Sequence, residues 1–349
     1  MRGFILYLQL ILLANTGCGT IAYYSQAIKG QCQMLYCQQS VKKIAKDNTK
    51  PAKLRKQMQL VLNLREYAHS KLGMNPGENY LRFKRLDRKF ALWVVYAAPE
   101  FDIRLKSWWY PVAGRFTSRG WFSEKAARRY AESLAAQGLD VHVGGAPAYS
   151  TLGWFDDPVL DTFINYSESD LAELIFHELA HGRFFLAGDA TFNESFATAT
   201  ARAAVFKWLK DNRDADAHDR YRAECLRHDT FIKLVLETRQ KLDAIYISGV
   251  SEEMMRTQKA ITIENLRNQI NRLHDEDPEY SRLARWAKRP LNNANLAAIA
   301  VYNLNVSAFS RMHERNDRDF RQYFEAVESL AKKPKTEREL ILEKLEQAD

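Results

Sequence analysis

Two histidines separated by three residues, with a glutamate directly after the first, form the motif His177-Glu178-Leu179-Ala180-His181. In a helix, residues four apart lie one turn apart on the same face, so the imidazoles of His177 and His181 can bind one cation. Glu178 points about 100° further around the helix, where its carboxylate reaches a water at that cation without binding the cation. The spacing is typical of a hydrolytic zinc site, which needs a third protein ligand and one open position for water.

A downstream acid supplies the third ligand in this interpretation. After His181 we expect the helix to end, a turn to follow around Asp189, and a new helix to open at Asn193. A short turn makes the two helices antiparallel neighbours, so Glu194, in the first turn of the second helix, can face His177. Two histidines and one glutamate are a ligand set that catalytic zinc uses. Asp189 is the rival ligand, although an acid in a turn is ordinarily a cap or a turn former.

The amino terminus predicts export and a lipid anchor. Residues 4–14 are apolar except for Gln9, a run too short to span a bilayer but typical of a signal-peptide core. The following Asn15-Thr16-Gly17-Cys18 resembles a lipoprotein-processing box, with Asn15 in place of the usual aliphatic residue. We therefore expect residues 1–17 to be a signal peptide and Cys18 to be acylated, which makes the protein a membrane-anchored lipoprotein of the cell envelope that faces the periplasm. An ordinary signal peptide or an uncleaved anchor is the alternative.

Charge and cysteine content restrict the partners. The net charge is +8, but the 51 basic residues are interspersed with 43 acidic ones, and neither an RNA-binding motif nor a Cys/His finger is present. We therefore expect no nucleic-acid partner and interpret the basic surface as attraction to anionic lipid. Beyond Cys18, the cysteines Cys32, Cys37 and Cys225 are odd in number and lack the spacing of a metal knuckle, and one pair of them could oxidise outside the cytoplasm.

Hydrophobic periodicity predicts three consecutive parts. These are a signal peptide over residues 1–17, a helical and β-rich part over 18–156, and a helical catalytic part with the zinc site over 157–349. Strands are predicted at residues 91–97, 112–117 and 139–144, with an amphipathic helix at 122–137 between the last two. The predicted fold class is α+β and predominantly helical, with a small mixed sheet beside a zincin-type pair of metal-binding helices.

The histidine motif, followed by Phe192-Asn193-Glu194-Ser195-Phe196-Ala197, resembles a family of predicted bacterial aminopeptidases that are zinc lipoproteins. The resemblance implies a metallopeptidase of the gluzincin kind with one Zn²⁺ per chain, and aminopeptidase as the activity. Gly182-Arg183 departs from the family pattern, where a polar residue such as Gln is expected. The other blocks that agree lie at residues 17–31, at Ala98-Pro99-Glu100-Phe101, at residues 148–158, and at Asn292-Asn293-Ala294 with Tyr302.

In the expected mechanism, Glu178 accepts a proton from the attacking water and passes it to the departing amine. The developing oxyanion needs a further donor, and Tyr302 is the best candidate because tyrosine donates at neutral pH. The alternative is that Tyr302 is a core residue at helical spacing. Asn193 is expected to orient Glu194 or to cap its helix.

Peptide binding is less well defined by the sequence. Gly144-Gly145 permits close backbone approach, so an extended peptide can pair there; the alternative is an ordinary turn after a strand. Candidate anchors for the substrate amine are Glu100, Asp156 and Asp157. Two alternative functions therefore stay open: a membrane-tethered zinc endopeptidase, and a non-catalytic peptide-binding envelope protein.

Overall fold

Helices dominate the protein. The computed structural model describes residues 18–110, 114–148 and 156–347. The helices of these ranges are α1 (Cys18–Leu35), α2 (Val41–Lys46), α3 (Ala52–Leu72), α4 (Glu124–Ala135), α5 (Glu168–Arg183), α6 (Ala190–Asp211), α7 (Ala215–Tyr246), α8 (Glu252–Glu276), α9 (Ser281–Ala287), α10 (Asn293–Asn303), α11 (Val306–Arg315), α12 (Phe320–Ala331) and α13 (Lys335–Gln347), with a 3₁₀ turn at Pro278–Tyr280.

The strands form three small sheets. They are β1 (Gln39–Ser40), β2 (Arg82–Lys84), β3 (Leu92–Pro99), β4 (Trp108–Tyr110), β5 (Gly114–Phe116), β6 (Arg119–Trp121), β7 (Leu139–Ala146) and β8 (Val159–Leu160). The order β6-β3-β7 is antiparallel throughout, β4 and β5 pair as a hairpin, and the mixed sheet is β1-β2-β8, in which β2 and β8 are parallel. The predominantly helical α+β prediction is confirmed. The expectation of uninterrupted helix from residue 157 is wrong, because β8 pairs with β2 first.

The boundaries of α3 and α4 have identifiable causes in the sequence. Pro51 precedes α3, and Gly73 ends it in the left-handed conformation at a φ of 66°, which glycine adopts without a Cβ clash. Ser123 caps α4, since its hydroxyl accepts from the backbone N–H of Ala126. Gly138 then reverses the chain at a φ of 79° into β7. The amphipathic helix expected at residues 122–137 is therefore present between β6 and β7.

The largest hydrophobic core is shared between the two predicted parts. Buried side chains of α3 pack with those of α5, α6, α11 and α12, and Phe176, Phe196 and Phe309 are fully buried among them. The apolar face of α5 is therefore held by core contacts with several other helices.

Residues 1–17 lie outside the described part, as does the side chain of Cys18, so the signal peptide and the acylated cysteine stay predictions. No helix within the described ranges is long and apolar enough to cross a membrane. The other three cysteines, Cys32, Cys37 and Cys225, are free thiols.

Candidate metal centre

Helix α5 presents the histidine pair at the edge of the core. The hydroxyl of Ser167 caps the helix by accepting from the backbone N–H of Asp170 at 3.1 Å. Its apolar residues, among them Ile175 and Phe176, are fully buried against the neighbouring helices. The side chains of His177 and His181 retain 17% and 9% exposure, so both imidazoles reach the surface of a cleft.

Helix α6 begins earlier than expected, at Ala190, so Glu194 lies at the start of its second turn. Asp189 is the N-cap, because its carboxylate accepts from the backbone N–H of Phe192 at 3.2 Å and from Arg338 at 2.9 Å. That carboxylate is therefore engaged away from the histidines, and the cap interpretation of the rival acid is the correct one. Asn193 is not the cap and makes different contacts.

The turn between the helices is held by Asn193. Its amide oxygen accepts from the N–H of Leu186 at 2.8 Å, and its amide nitrogen donates to the carbonyl of the same residue at 2.7 Å. Asn193 is 2% exposed, so these bonds are shielded from competing water. They fix the start of α6 against the end of α5 and thereby aim the adjacent Glu194.

Three ligand atoms converge between the helices. The Nε2 atoms of His177 and His181 are 3.2 Å apart, and Oε2 of Glu194 lies 3.2 Å from the first and 3.5 Å from the second. A tetrahedral zinc with bonds of about 2.0–2.1 Å separates its ligands by about 3.3 Å, so the triangle fits the ion without rearrangement. The structure thus brings together His177, His181 and Glu194 as a possible metal-binding triad.

The carboxylate of Glu194 and the imidazole of His177 stabilise each other's charged forms. Burial favours a neutral Glu194, but hydrogen bonds with His177 and His181 outweigh it and lower the pKa of this carboxyl to about 2. Burial likewise opposes the charged form of His177, whose pKa is nevertheless raised by the carboxylate of Glu194. Glu194 therefore stays ionised, as a metal ligand must be. Nδ1 of His181 is buried without a hydrogen-bond partner among the described residues.

Tyr302, near the carboxyl end of α10, lies directly against the triad. Its ring stacks on that of His177, with centroids 6.3 Å apart and planes inclined by 26°. The side chain is not a core residue, because the residue is 39% exposed. The charge of Glu194 raises the pKa of Tyr302 well above its usual value, and Tyr96 adds to the rise, so the hydroxyl stays protonated.

Glu178 is half-buried on the same helix turn as the first histidine. Its charge contributes to the raised pKa of Tyr302, after the larger effects of Glu194 and Tyr96. It also raises the pKa of Tyr80, although burial is the main cause there. Glu178 follows His177 directly on α5 and is not one of the three residues of the triad.

Two cavities meet at Tyr302. The larger, of about 600 Å³, is lined by His177 and Tyr302 at one end and by Gly144, Gly145 and Ala146 of β7 along one side. A smaller one of about 90 Å³ is lined by His181 and Glu194. The triad therefore has space on two sides, which suits an extended substrate that passes over it.

The two glycines lie within β7 itself and not in a turn. A Cβ at Gly145 would come within 2.2 Å of the ring of Phe90, so the absence of a side chain there is required by packing. Strand β7 is at the edge of its sheet in the described part of the chain, beside the larger cavity. An extended peptide therefore has a strand edge available to it.

The acids that line the larger cavity differ from those that the sequence suggested. Glu100 is bound by Arg256 at 2.8 and 2.9 Å, and neither Asp156 nor Asp157 lines the cavity. Among the described residues, the three acids that line it form no ion pair; they are Asp170, Glu173 and Glu224.

Basic side chains also line the larger cavity. Arg202 is engaged by Asp229 at 2.6 Å and by Nδ1 of His228 at 2.7 Å, whereas Arg282 forms no ion pair in the described ranges.

Burial raises the pKa of Glu173, which also accepts a hydrogen bond from Tyr221 at 2.9 Å. Helical spacing alone places Glu173 one turn before His177, a signal that the sequence analysis did not use.

Arg183, the departure noted in the sequence, lies outside the site. Its guanidinium pairs with Glu328 and lies 5.1 Å from the ring centroid of Phe324, both on α12. The substitution therefore changes the contact between α5 and α12 and leaves the triad untouched.

These features define a class of protein: a predominantly helical α+β fold in which two adjoining helices present a two-histidine, one-glutamate triad in a cleft. The chain belongs to the family described as "Putative aminopeptidase", whose model matches residues 22–342. Comparison with curated proteins and with solved structures finds no match. The family predicted from the sequence motifs is confirmed, and membership supports a peptidase that acts on peptide substrates.

Proposed function

We propose that the protein is a zinc-dependent aminopeptidase, and that His177, His181 and Glu194 hold one Zn²⁺ per chain. The observation that carries the proposal is the triangle of ligand atoms with sides of 3.2, 3.2 and 3.5 Å. It matches the ligand separations of a tetrahedral zinc site, and the two cavities adjoin the three residues that would hold the ion. When bound, zinc supplies a Lewis acid that polarises the scissile carbonyl and makes water a stronger nucleophile.

Glu178 is the general base in this proposal. Its carboxylate takes a proton from the attacking water and then delivers that proton to the nitrogen of the departing amine. The role is supported by its position, since it lies beside the triad without contributing to the ligand triangle. A site that bound zinc only for folding would have no use for a carboxylate there.

Tyr302 donates its hydroxyl to the oxyanion that develops on the substrate carbonyl. Its raised pKa keeps the proton on the phenol at neutral pH, so the hydroxyl can donate a hydrogen bond to the oxyanion. The stacking contact with His177 keeps the ring at the triad. A preorganised donor of this kind is worth about 2.7–4 kcal/mol in other acyl-transfer sites.

The larger cavity accommodates the amino-terminal end of the peptide. The edge of β7 offers backbone groups for an extended chain, and the unpaired carboxylates Asp170 and Glu224 offer charge for the α-ammonium. Hydrolysis of a free peptide and of its acetylated twin tests this assignment, because acetylation removes the positive charge.

We further propose that Cys18 carries the lipid anchor and that the enzyme is held at a membrane of the cell envelope, facing the periplasm. The support is the sequence of residues 1–18, in which an eleven-residue apolar stretch precedes a small residue and a cysteine.

Metal-dependent hydrolysis by the full chain tests the central proposal. We expect no cleavage of an amino-acid amide after dialysis against a chelator, and full recovery with about one equivalent of zinc. Zinc binding without hydrolysis of any peptide would instead establish the non-catalytic alternative. Equal cleavage of free and acetylated peptides would establish an endopeptidase.

A further inference from the structure

Two sequence blocks that the catalytic proposal leaves unexplained meet in the structure. Asn293, from the Asn292-Asn293-Ala294 block, is 2% exposed at the amino end of α10. Its amide nitrogen donates to the carbonyls of Pro99 and Glu100, at 3.1 and 2.9 Å. These two acceptors belong to the Ala98-Pro99-Glu100-Phe101 block at the end of β3. The side chain thus joins α10 to the neighbouring strand.

The remaining polar groups of Asn293 are also satisfied. Its amide oxygen accepts from the hydroxyl of Tyr246 at 2.9 Å, and its backbone N–H donates to Oδ2 of Asp140 at 2.9 Å. The same oxygen of Asp140 accepts from Lys259 at 2.6 Å, and both of these side chains are largely buried. A buried group with every donor and acceptor paired has one favoured position.

The neighbouring asparagines fix the same helix end to β7. Asn292 donates from its side chain to the carbonyl of Val141 at 3.0 Å, and it forms a reciprocal capping box with Asn295. The amide nitrogen of Asn295 donates to Nδ1 of His142 at 2.8 Å. The amino end of α10 is therefore attached to both β3 and β7 by directional hydrogen bonds.

Apolar contacts hold α10 on two sides. Ala294 and Ala298 pack on Tyr96 and Ala98 of β3, and Leu296 is fully buried in the cluster that contains Phe231 and Val235 of α7. Alanine has no side-chain rotamers and little relief, so the contact with β3 does not by itself fix the position of the helix along the strand. The directional hydrogen bonds at the amino end of α10 supply that position.

We propose that Asn293 is a positioning residue that holds Tyr302 at the metal centre through α10. The inference rests on the proposed function, in which Tyr302 is the oxyanion donor. Nine residues separate the two, which is about 14 Å along the helix axis. A tilt of about 10° at the anchored end would move Tyr302 by about 2 Å, enough to break a hydrogen bond of 2.7–3.1 Å to a developing oxyanion.

A double-mutant cycle in the full chain tests the proposal. We expect Asn293→Ala to lower kcat about tenfold to a hundredfold, as misplacement by about 1 Å does elsewhere, with little change in KM. The loss should not exceed that of Tyr302→Phe, and it should shrink to less than about twofold when Tyr302→Phe is already present. The matched control is Asn316→Ala, which removes an asparagine amide that donates to the carbonyl of Met312 at 2.7 Å on α11.

The outcomes distinguish a failure of the positioning role of Asn293 from a failure of the proposed catalytic role of Tyr302. Equal fold-losses from Asn293→Ala in both backgrounds would mean that Asn293 acts independently of Tyr302, which overturns the proposal. A normal kcat in Asn293→Ala together with a large loss in Tyr302→Phe would overturn it as well. A normal kcat in Tyr302→Phe would instead refute the catalytic role of Tyr302.

A measurement that does not depend on activity tests the positioning of Tyr302 in every case. Fluorotyrosine introduced at position 302 reports its surroundings by fluorine NMR, and we expect Asn293→Ala to shift or broaden its resonance while Asn316→Ala leaves it unchanged. An identical resonance in all three proteins would overturn the proposal. If Asn293→Ala does not fold, Tyr246→Phe deletes only the hydroxyl bond to Asn293 and should produce a smaller shift of the same resonance.

Discussion

The side-chain amide of Asn193 pairs with both backbone polar groups of Leu186, at 2.8 and 2.7 Å, across the turn that joins the two ligand-bearing helices. A single buried side chain thus closes the turn and places the next residue, Glu194, opposite the histidines. Because the three residues are held by the core and by this turn, the triad is already assembled in the fold.

Replacement of a triad residue should remove the metal and leave the fold. We expect His177→Ala, His181→Ala and Glu194→Ala each to weaken zinc binding by more than about a hundredfold, since changes around metal ligands alone cost roughly 10–100-fold. Asp189→Asn is the matched control, because asparagine still caps α6 and the residue lies outside the triad. Zinc content is measured by mass spectrometry of the full chain. Undiminished zinc in Glu194→Ala would refute the third ligand.

Local sequence signals explain why His177, His181 and Glu194 could be predicted to lie together. The spacing of His177 and His181 is a property of any helix, and Glu194 follows a turn too short to take it elsewhere. The start of α6 was misplaced by three residues because Asn193 and Asp189 are equally good caps, and only the contact with Leu186 distinguishes them.

Glu178→Gln should separate chemistry from binding. Glutamine keeps the size and hydrogen-bonding capacity of the side chain but cannot accept the proton of water, so zinc content and thermal stability should be unchanged. Hydrolysis should fall by roughly two to four orders of magnitude. Turnover of the free peptide is measured at equal zinc loading. A variant as active as the wild type would remove Glu178 from the mechanism.

The larger cavity could not be predicted from the sequence because tertiary contacts form it. Its acids come from α5 and α7, and its glycines come from β7, elements that are distant in the chain. The sequence offered Glu100 as an anchor, but the ion pair with Arg256, 156 residues away, engages that carboxylate. Such long-range pairing has no local signature.

Recognition of the substrate amine should depend on the acids in the cavity. We expect Asp170→Asn or Glu224→Gln to raise KM for a free peptide about tenfold or more, since a hydrogen bond to a charged group contributes about 1.5–3 kcal/mol. The acetylated peptide should be a poor substrate for every form of the protein. Glu132→Gln, on α4 and outside the cavity, is the control. Unaltered KM values in both cavity variants would exclude these acids as the anchor.

Lipid attachment should require the thiol of Cys18. Cys18→Ser should abolish incorporation of radiolabelled fatty acid in cells and leave either an unprocessed precursor or a soluble periplasmic protein. Cys32→Ser is the control, because Cys32 is exposed and lies on the same helix. Equal labelling of wild type and Cys18→Ser would disprove the lipoprotein assignment.

Acidification should destabilise the fold through His142, whose Nδ1 accepts a hydrogen bond from Asn295 on α10. Burial lowers the pKa of His142 to about 4, with a further contribution from Arg289, against 6.5 for an unperturbed histidine. Above pH 6.5 neither the folded nor the unfolded state binds a proton here. As the pH falls from 6.5 towards 4, only the unfolded state does, so the free energy of unfolding decreases.

The decrease attributable to His142 should total about 3 kcal/mol at pH 4, since each pKa unit corresponds to about 1.4 kcal/mol. His142→Asn keeps an acceptor for Asn295 and removes the titration. Urea unfolding at several pH values between 7 and 4 should therefore give a shallower pH dependence for the variant than for the wild type. Parallel curves for the two proteins would show that His142 is not the buried neutral group that secures α10.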